Sequence, residues 1–145
     1  MRVLVQRCEE AWVTSQGVEV GRIGQGLCCL VGFCTEDDAA SIPKLASKLW
    51  NLRLMDDDDG VMNLSIADTT QALLLVSQFT LYGDTSKGRR PSWIDAARPE
   101  QAEPLFDQLV AELTELGATV ATGRFRTYMR VGLINDGPAT VMVEL

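Results

Sequence analysis

The first third of the chain has the apolar pattern of β-strands. Residues 2–8 alternate between apolar and polar side chains, as expected of a strand with one buried face. Segments 11–15 and 18–23 flank a Gln-Gly pair, which predicts a β-hairpin because glycine readily adopts the positive φ of a tight turn. The run LCCLVGF at residues 27–33 is apolar throughout, which is typical of a central strand buried on both faces.

The period of the apolar residues changes at two places, and each change predicts a helix. Leucine and isoleucine recur at intervals of three and four over residues 39–53. Pro99 begins a second helix, which runs to about Leu116 and ends at Gly117. Further strands are predicted at residues 71–76, 118–122, 128–134 and 139–145.

The order of these elements defines the expected fold class. Residues 84–98 have no clear period and predict a long loop, a kind of segment that compact domains often use for function. No linker or internal repeat interrupts the chain. We therefore expect a single domain over residues 1–145, of the α/β class, in which a mixed, β-rich sheet packs with two main helices.

Composition excludes several kinds of chemistry. The chain has 145 residues, 46% of them apolar, and no histidine. It therefore has no Ser-His-Asp triad, no Cys-His pair and no His-ligated zinc. The aspartates at 56–59 lack the alternating ligands and terminal glutamate of a calcium loop and predict a solvated turn. We expect no metal, and any catalysis must use carboxylates, hydroxyls, thiols, backbone groups or the substrate itself.

The charge of the chain is acidic overall but contains two basic groups. A net charge of −7 argues against a protein that coats nucleic acid nonspecifically. Two stretches without acidic residues nevertheless collect six of the 13 basic residues. The first stretch contains Lys87, Arg89 and Arg90, and the second contains Arg124, Arg126 and Arg130.

The four cysteines indicate a reducing compartment. Cys8, Cys28, Cys29 and Cys34 all lie in the first quarter of the chain, whereas a disulfide framework would spread them more widely. Their spacing does not predict a zinc site, and we interpret them as small buried apolar residues. The N-terminus lacks the pattern of a signal peptide, and no apolar run approaches the ~20 residues that span a bilayer. A cytoplasmic protein is expected.

A first candidate site follows the predicted strand at 71–76. Segment 77–81 reads SQFTL and brings polar side chains to the end of a buried strand, where α/β proteins commonly place sites. A strand end also exposes backbone N–H groups, which can stabilise a developing oxyanion. The alternative is a hydroxyl-rich strand end whose polar groups are satisfied by local hydrogen bonds.

A second candidate site lies near the C-terminus. Segment 135–140 reads NDGPAT, and its turn-forming residues predict a hairpin turn between two strands. A Gly-Pro pair can also hold a cis peptide. It then presents two carbonyl oxygens and no glycine side chain, so that it can closely approach the chiral centre of a ligand.

Together, the two segments resemble the signature motifs of a known family. SQFTL and NDGPAT match the patterns SQxTL and NxGPxT of the D-aminoacyl-tRNA deacylases, also called D-tyrosyl-tRNA deacylases, without a departure. The start MRVLVQR, the stretch GDTSKGRRPSW and the chain length are also similar to this family, so that the resemblance covers the whole chain. It implies a barrel-like sheet, no cofactor, and a homodimer with active sites at the subunit interface.

The resemblance implies an activity and assigns roles to residues. Members of this family hydrolyse the ester between a D-amino acid and the terminal ribose of tRNA, and many also remove glycine. Gly137 and Pro138 are expected to form a cis peptide that reaches into the neighbouring subunit's site and rejects L-amino acids by steric clash. The floor of the pocket is expected to consist of Ser77, Gln78, Phe79 and Thr80.

Several roles stay open at this point. Thr80 is either a nucleophile or an orienting group, and the second is favoured because no base is available to activate its hydroxyl. Met129 either lies near the pocket or fills the core, and Arg7 either bonds the Gly-Pro segment or is a surface charge. Asn135 and Thr140 are expected to brace the turn by bonds to the backbone.

The expected partner is the acceptor end of D-aminoacyl-tRNA, with no role for DNA or a membrane. The two basic groups would bind its phosphates, although they could also be solvated surface charges. Two rival functions remain. One is a noncatalytic, dimeric RNA-binding protein, and the other is a hydrolase that uses Cys8 or Cys34.

Overall fold

A sheet of six strands carries the fold, and two short strands form a separate hairpin. The computed structural model describes residues 1–145. The helices are α1 (Ile42–Trp50) and α2 (Pro99–Glu115), and neither is long and apolar enough to cross a membrane. The strands are β1 (Arg2–Ser15), β2 (Val18–Ile23), β3 (Gly26–Gly32), β4 (Met55–Asp56), β5 (Met62–Leu64), β6 (Ala72–Ser77), β7 (Thr119–Thr122) and β8 (Met129–Glu144).

Strand β1 is the centre of the sheet. Its first half pairs with β3 and its second half with β2, while β8 pairs with it along almost its whole length, all antiparallel. Strands β3, β6 and β7 are parallel to one another. The sheet curls until β2 contacts β7, where a Cβ at Gly21 would lie 2.5 Å from the carbonyl oxygen of Thr122. The result is a nearly closed, barrel-like sheet.

The core lies on both faces of β3. Leu27, Cys29 and Val31 belong to the large apolar cluster between the sheet and the two helices. Cys28 belongs to a smaller cluster inside the curl of the sheet. The prediction of a central strand buried on both faces is therefore confirmed, as is the mixed, barrel-like α/β fold with two main helices.

Two predicted breaks in the strands are absent from the structure. The strands expected at 2–8 and 11–15 form one strand, β1, and those expected at 128–134 and 139–145 form one strand, β8. The prediction of a hairpin turn at NDGPAT was wrong, because both flanks of this segment pair with the same partner, β1.

NDGPAT instead forms a wide bulge in β8. Asn135 pairs with Cys8 and Thr140 pairs with Gln6, so that four residues of β8 lie opposite a single residue of β1, Arg7. A bulge makes a strand project locally while its pairing continues on both sides. The Gly-Pro pair therefore lies in a bulge that projects from the sheet, and β8 continues beyond it.

Candidate active site

The first motif lies at the carboxyl end of β6. Ser77 is the last residue of the strand, and the N–H of Gln78 still donates to the carbonyl oxygen of Val31 at 2.7 Å. A short 3-10 helix then runs over Phe79–Tyr82. The first N–H groups of such a turn have no partner within it. The N–H groups of Phe79 and Thr80 are therefore the first donors of this turn, without a partner in it, next to the end of β6.

A cleft of about 900 Å³ opens at this strand end. Its walls come from the ends of β3 and β6, from the loop before α2 and from residues 125–131. Most lining residues are apolar, and the only charged ones are Arg98 and Arg126. A concave, mostly apolar cleft with a few polar groups is the usual form of a small-molecule site. The absence of a lining carboxylate makes it suitable for a ligand that carries negative charge.

The structure places most of the first motif in this cleft. Ser77, Gln78 and Phe79 line it, and so does Met129 from the other side. Thr80 is exposed next to the lining, where its hydroxyl accepts a hydrogen bond from the side-chain amide of Gln78. Gln78 is therefore oriented by the hydroxyl of Thr80.

Hydrogen bonds hold the loop after β7 in place beside the cleft. The N–H of Arg124 donates to the sulfur of Met129 at 3.3 Å, and the hydroxyl of Thr127 donates to the carbonyl oxygen of Arg124 at 2.9 Å. The buried hydroxyl of Ser15 donates to that of Thr127 at 2.8 Å. Arg126 has a φ of 56°, a left-handed conformation that non-glycine residues rarely adopt and that is often found at functional sites.

Several lining residues were not predicted from the sequence. Trp93 packs edge-on against Phe79 with ring centroids 6.1 Å apart, and Phe125 and Arg98 complete the walls. Trp93 ends the stretch GDTSKGRRPSW, which the family resemblance includes without a site role, and Phe125 and Arg98 belong to no motif. For Trp93, the signals in the sequence were this stretch and the position of an aromatic residue in the long loop at 84–98.

The second motif does not lie in the cleft of the same chain. The Gly137–Pro138 peptide is cis, as the resemblance implies, and both residues are exposed. Neither lines the cleft. The hydroxyl of Thr140 donates to the side chain of Gln6 rather than to the backbone, and the Nδ2 atom of Asn135 lies 3.3 Å from the position of a Cβ at Gly137.

Arg7 binds the second motif through hydrogen bonds and an ion pair. It is only 6% exposed, which excludes the interpretation as a surface charge. Its Nε atom lies 3.0 Å from a carboxylate oxygen of Asp136 and donates to the carbonyl oxygen of the same residue at 3.3 Å. Its Nη2 atom donates to the carbonyl oxygen of Gly137 at 3.2 Å. Its Nη1 atom contacts Leu54 and Asp56 on the other side.

The six basic residues predicted to bind phosphate are exposed, and none of them forms an ion pair within the chain. One group lies on a loop that is closed by paired hydrogen bonds between Asp84 and Ser92, at 2.7 and 2.9 Å. The other group lies along the loop after β7 and the start of β8. The paired arginines are Arg2, Arg7 and Arg22.

The cysteines are poorly placed for catalysis. Cys8, Cys28 and Cys29 are buried, and burial raises the pKa of all three thiols, that of Cys28 to about 12. A thiol with a raised pKa stays protonated and is a weak nucleophile. Cys34 is half-buried, and no cysteine lines the cleft. These features argue against a cysteine-dependent hydrolase.

The fold and cleft define an α/β protein with a candidate ligand site at the carboxyl ends of parallel strands. A family model described as D-Tyr-tRNA(Tyr) deacylase matches residues 4–144. A protein of Nocardia farcinica named D-aminoacyl-tRNA deacylase is 55% identical over 147 residues, which cover 99% of each chain. One of Brevibacillus brevis with the same name is 52% identical over 144 residues, again 99% of each chain. The chain belongs to the D-Tyr-tRNA(Tyr) deacylase family, which is a family of enzymes.

Solved structures show the same fold. A protein described as a c-Myc DNA unwinding element binding protein has a TM-score of 0.93 at 34% identity, covering 100% of this chain and 99% of that one. A probable eukaryotic D-amino acid tRNA deacylase has a TM-score of 0.86 at 16% identity, covering 99% and 98% of the two chains. The second likeness concerns the fold alone.

Proposed function

We propose that this enzyme hydrolyses the ester of D-aminoacyl-tRNA and releases free tRNA and the D-amino acid. The observation that carries the proposal is the acid-free cleft built on Ser77, Gln78 and Phe79. The names of relatives with 52–55% identity over the whole chain support the same substrate. The proposal extends to glycyl-tRNA, because glycine also places hydrogen where an L-amino acid places its side chain.

Backbone carbonyl groups would distinguish D-aminoacyl esters from L-aminoacyl esters. The Gly137 carbonyl is held by Arg7, and the Gly137–Pro138 segment projects from the sheet with no side chain on the glycine. If its carbonyls occupy the direction of an L side chain, every L-aminoacyl ester clashes and its D counterpart fits. This mode of selection works by rejection and needs no pocket for one particular side chain.

A second copy of the chain would complete the site. The Gly-Pro segment lies outside the cleft of its own chain, so that a homodimer is needed for the segment of one subunit to enter the cleft of the other. Exposed apolar side chains at the cleft support such a contact, since large apolar patches mark interaction surfaces. They belong to Phe79, Trp93, Ile94, Tyr128 and Val131.

The chemistry would be carried by the backbone and by the substrate. The N–H groups of Phe79 and Thr80 would stabilise the oxyanion, and the free ribose hydroxyl beside the ester would position the water. Thr80 would orient Gln78 rather than attack the ester, because no residue near it can serve as its base. Removal of one oxyanion donor typically costs roughly 10²–10³ in rate.

The unpaired basic residues would bind the phosphates of the acceptor end. The groups at 87–90 and 124–130 are free of internal carboxylates and are therefore available to an external anion. The four free cysteines are compatible with the reducing cytoplasm, where aminoacyl-tRNA is used.

The test is deacylation of matched D-tyrosyl-tRNA, L-tyrosyl-tRNA and glycyl-tRNA by the purified protein. We expect rapid release from the D and glycyl substrates and little release from the L substrate. A Gly137→Val variant serves as control, because a bulkier residue should block the D substrate at the proposed filter. Comparable rates on D and L substrates would contradict the chiral selection. No release from any substrate would contradict the proposed hydrolysis and favour the alternative function, a noncatalytic RNA-binding protein.

A further inference from the structure

We propose that Asp56 is a positioning residue that fixes the Gly137–Pro138 segment through Arg7 and thereby strengthens the rejection of L-aminoacyl esters. The proposal rests on the proposed function of this segment as the chiral filter. Asp56 belongs to none of the motifs, and its contribution arises from its place in the fold.

The guanidinium of Arg7 joins two parts of the molecule. On one side, Nε and Nη2 hold the carbonyl oxygens of Asp136 and Gly137 at 3.3 and 3.2 Å. On the other side, Nη1 donates to the carbonyl oxygen of Leu54 at 2.8 Å and to a carboxylate oxygen of Asp56 at 2.9 Å. Both protons of Nη1 are thus used. Because the guanidinium is planar and its donors have a fixed geometry, anchoring one side orients the other.

The two carboxylates that bind Arg7 have different effects. Asp136 is part of the bulge and therefore moves with the segment that it helps to hold. Asp56 ends β4, outside the bulge, and ties the guanidinium to the body of the protein. It is the only side chain among the contacts on this side, since Leu54 contributes its backbone. Substitution of Asp56 therefore loosens the anchor without changing the filter itself.

The four consecutive aspartates at 56–59 make different contacts. Asp57 accepts hydrogen bonds from the N–H groups of Asp59 and Val61, each at 3.0 Å, and so closes its own turn. Asp58 is exposed and forms no ion pair. Asp56 is the member that reaches another strand. Asp58 is therefore a matched control, with the same charge and only two residues away but no link to Arg7.

The experiment compares the variants Asp56→Ala, Asp56→Asn and Asp58→Asn. The rates of hydrolysis of matched D- and L-tyrosyl-tRNA are measured for the full-length protein, and the D-to-L ratio is the readout. We expect Asp56→Ala to lower this ratio roughly tenfold, because a hydrogen bond to a charged group is lost at a half-exposed carboxylate. Asp56→Asn should lower it less, since the amide oxygen can still accept, and Asp58→Asn should leave it unchanged.

Unchanged ratios in both Asp56 variants would overturn the proposal, as would equal losses on the D and L substrates. If Asp56→Ala does not fold, the Asp56→Asn variant decides, because it keeps the shape and one acceptor of the side chain. A wild-type protein that does not discriminate between D and L substrates would contradict the proposed function instead. The two failures are therefore distinguishable.

Discussion

Arg7 carries a positive charge into a nearly buried position on β1, and its surroundings explain how the charge is tolerated. Two carboxylates and three carbonyl oxygens surround the guanidinium. Both carboxylates are nearly half exposed, so that solvent screens each ion pair, but together they compensate the charge of the buried guanidinium. Arg7 is therefore fixed in place by the same contacts that fix the Gly137 carbonyl.

The role of Thr80 can be tested with a tRNA whose terminal ribose lacks the 2′-hydroxyl. If the substrate assists its own hydrolysis, this tRNA should react roughly 100-fold more slowly, because the group that positions the water is lost. The Thr80→Ala variant should lose roughly tenfold on the normal substrate, since only an orienting hydrogen bond is removed. Single-turnover rates provide the measurement.

The Thr80→Ser variant is the control for this experiment, because it keeps the hydroxyl and should keep most of the rate. Full activity on the 2′-deoxy substrate, together with abolished activity in Thr80→Ala, would identify Thr80 as the nucleophile.

At the scale of the elements, the structure explains which parts of the fold were predictable. The strand at 27–33 and the helix from Pro99 follow from local apolar patterns. The bulge at NDGPAT does not, because turn-forming residues look the same whether a chain reverses or continues on the same partner. Trp93 and Phe125 both line the cleft, and no local pattern predicts which loop residues the tertiary fold brings there.

The basic loop at 84–92 is held in shape by its own backbone. Besides the paired bonds between Asp84 and Ser92, the N–H of Ser86 donates to the carboxylate of Asp84 at 2.8 Å. Gly88 has a φ of 73°, which glycine adopts without strain. The loop therefore presents its three cations from a defined hairpin-like turn.

Replacement of Lys87, Arg89 and Arg90 by glutamine should weaken tRNA binding. We expect KM to rise and kcat to stay near its native value, because the proposed contacts are with phosphates remote from the ester. The slope of log(kcat/KM) against log salt concentration should become shallower by about 2, at roughly 0.7 per phosphate contact with single-stranded RNA.

The control replaces Lys44 and Lys48 on α1, which are exposed and do not line the cleft. This change also removes positive surface charge, but on α1 rather than on the basic loop. An unaltered salt slope in the first variant, or an equal change per charge in the second, would contradict the role of the loop.

At the scale of the whole molecule, the two motifs of one chain are separated from each other. The cleft and the Gly-Pro segment both belong to one chain, yet neither Gly137 nor Pro138 lines the cleft of that chain. A symmetric dimer in which each subunit donates its segment to the other would form two equivalent sites. Neither subunit would then discriminate between D and L substrates alone.

Mixed dimers test this arrangement. One subunit carries Thr80→Val in the cleft and the other carries Gly137→Val in the segment. If the segment acts on the partner's cleft, each mixed dimer has one fully native site. In a statistical mixture, half of the dimers are mixed, and we expect about a quarter of the native activity.

Each variant alone provides the baseline for deacylation of D-tyrosyl-tRNA. Activity in the mixture that does not exceed the average of the two baselines would show that the segment and the cleft work within one chain, or that the subunits do not associate.

The use of main-chain oxygens as the proposed filter separates two properties that protein engineering usually finds entangled. Handedness would depend on the course of the backbone at Gly137 and Pro138, which few point substitutions can alter gradually. Preference among amino-acid side chains would depend on the cleft walls, such as Phe125 and Tyr128. Directed evolution at the walls could therefore broaden or narrow the range of D-amino acids while the exclusion of L-amino acids is inherited unchanged.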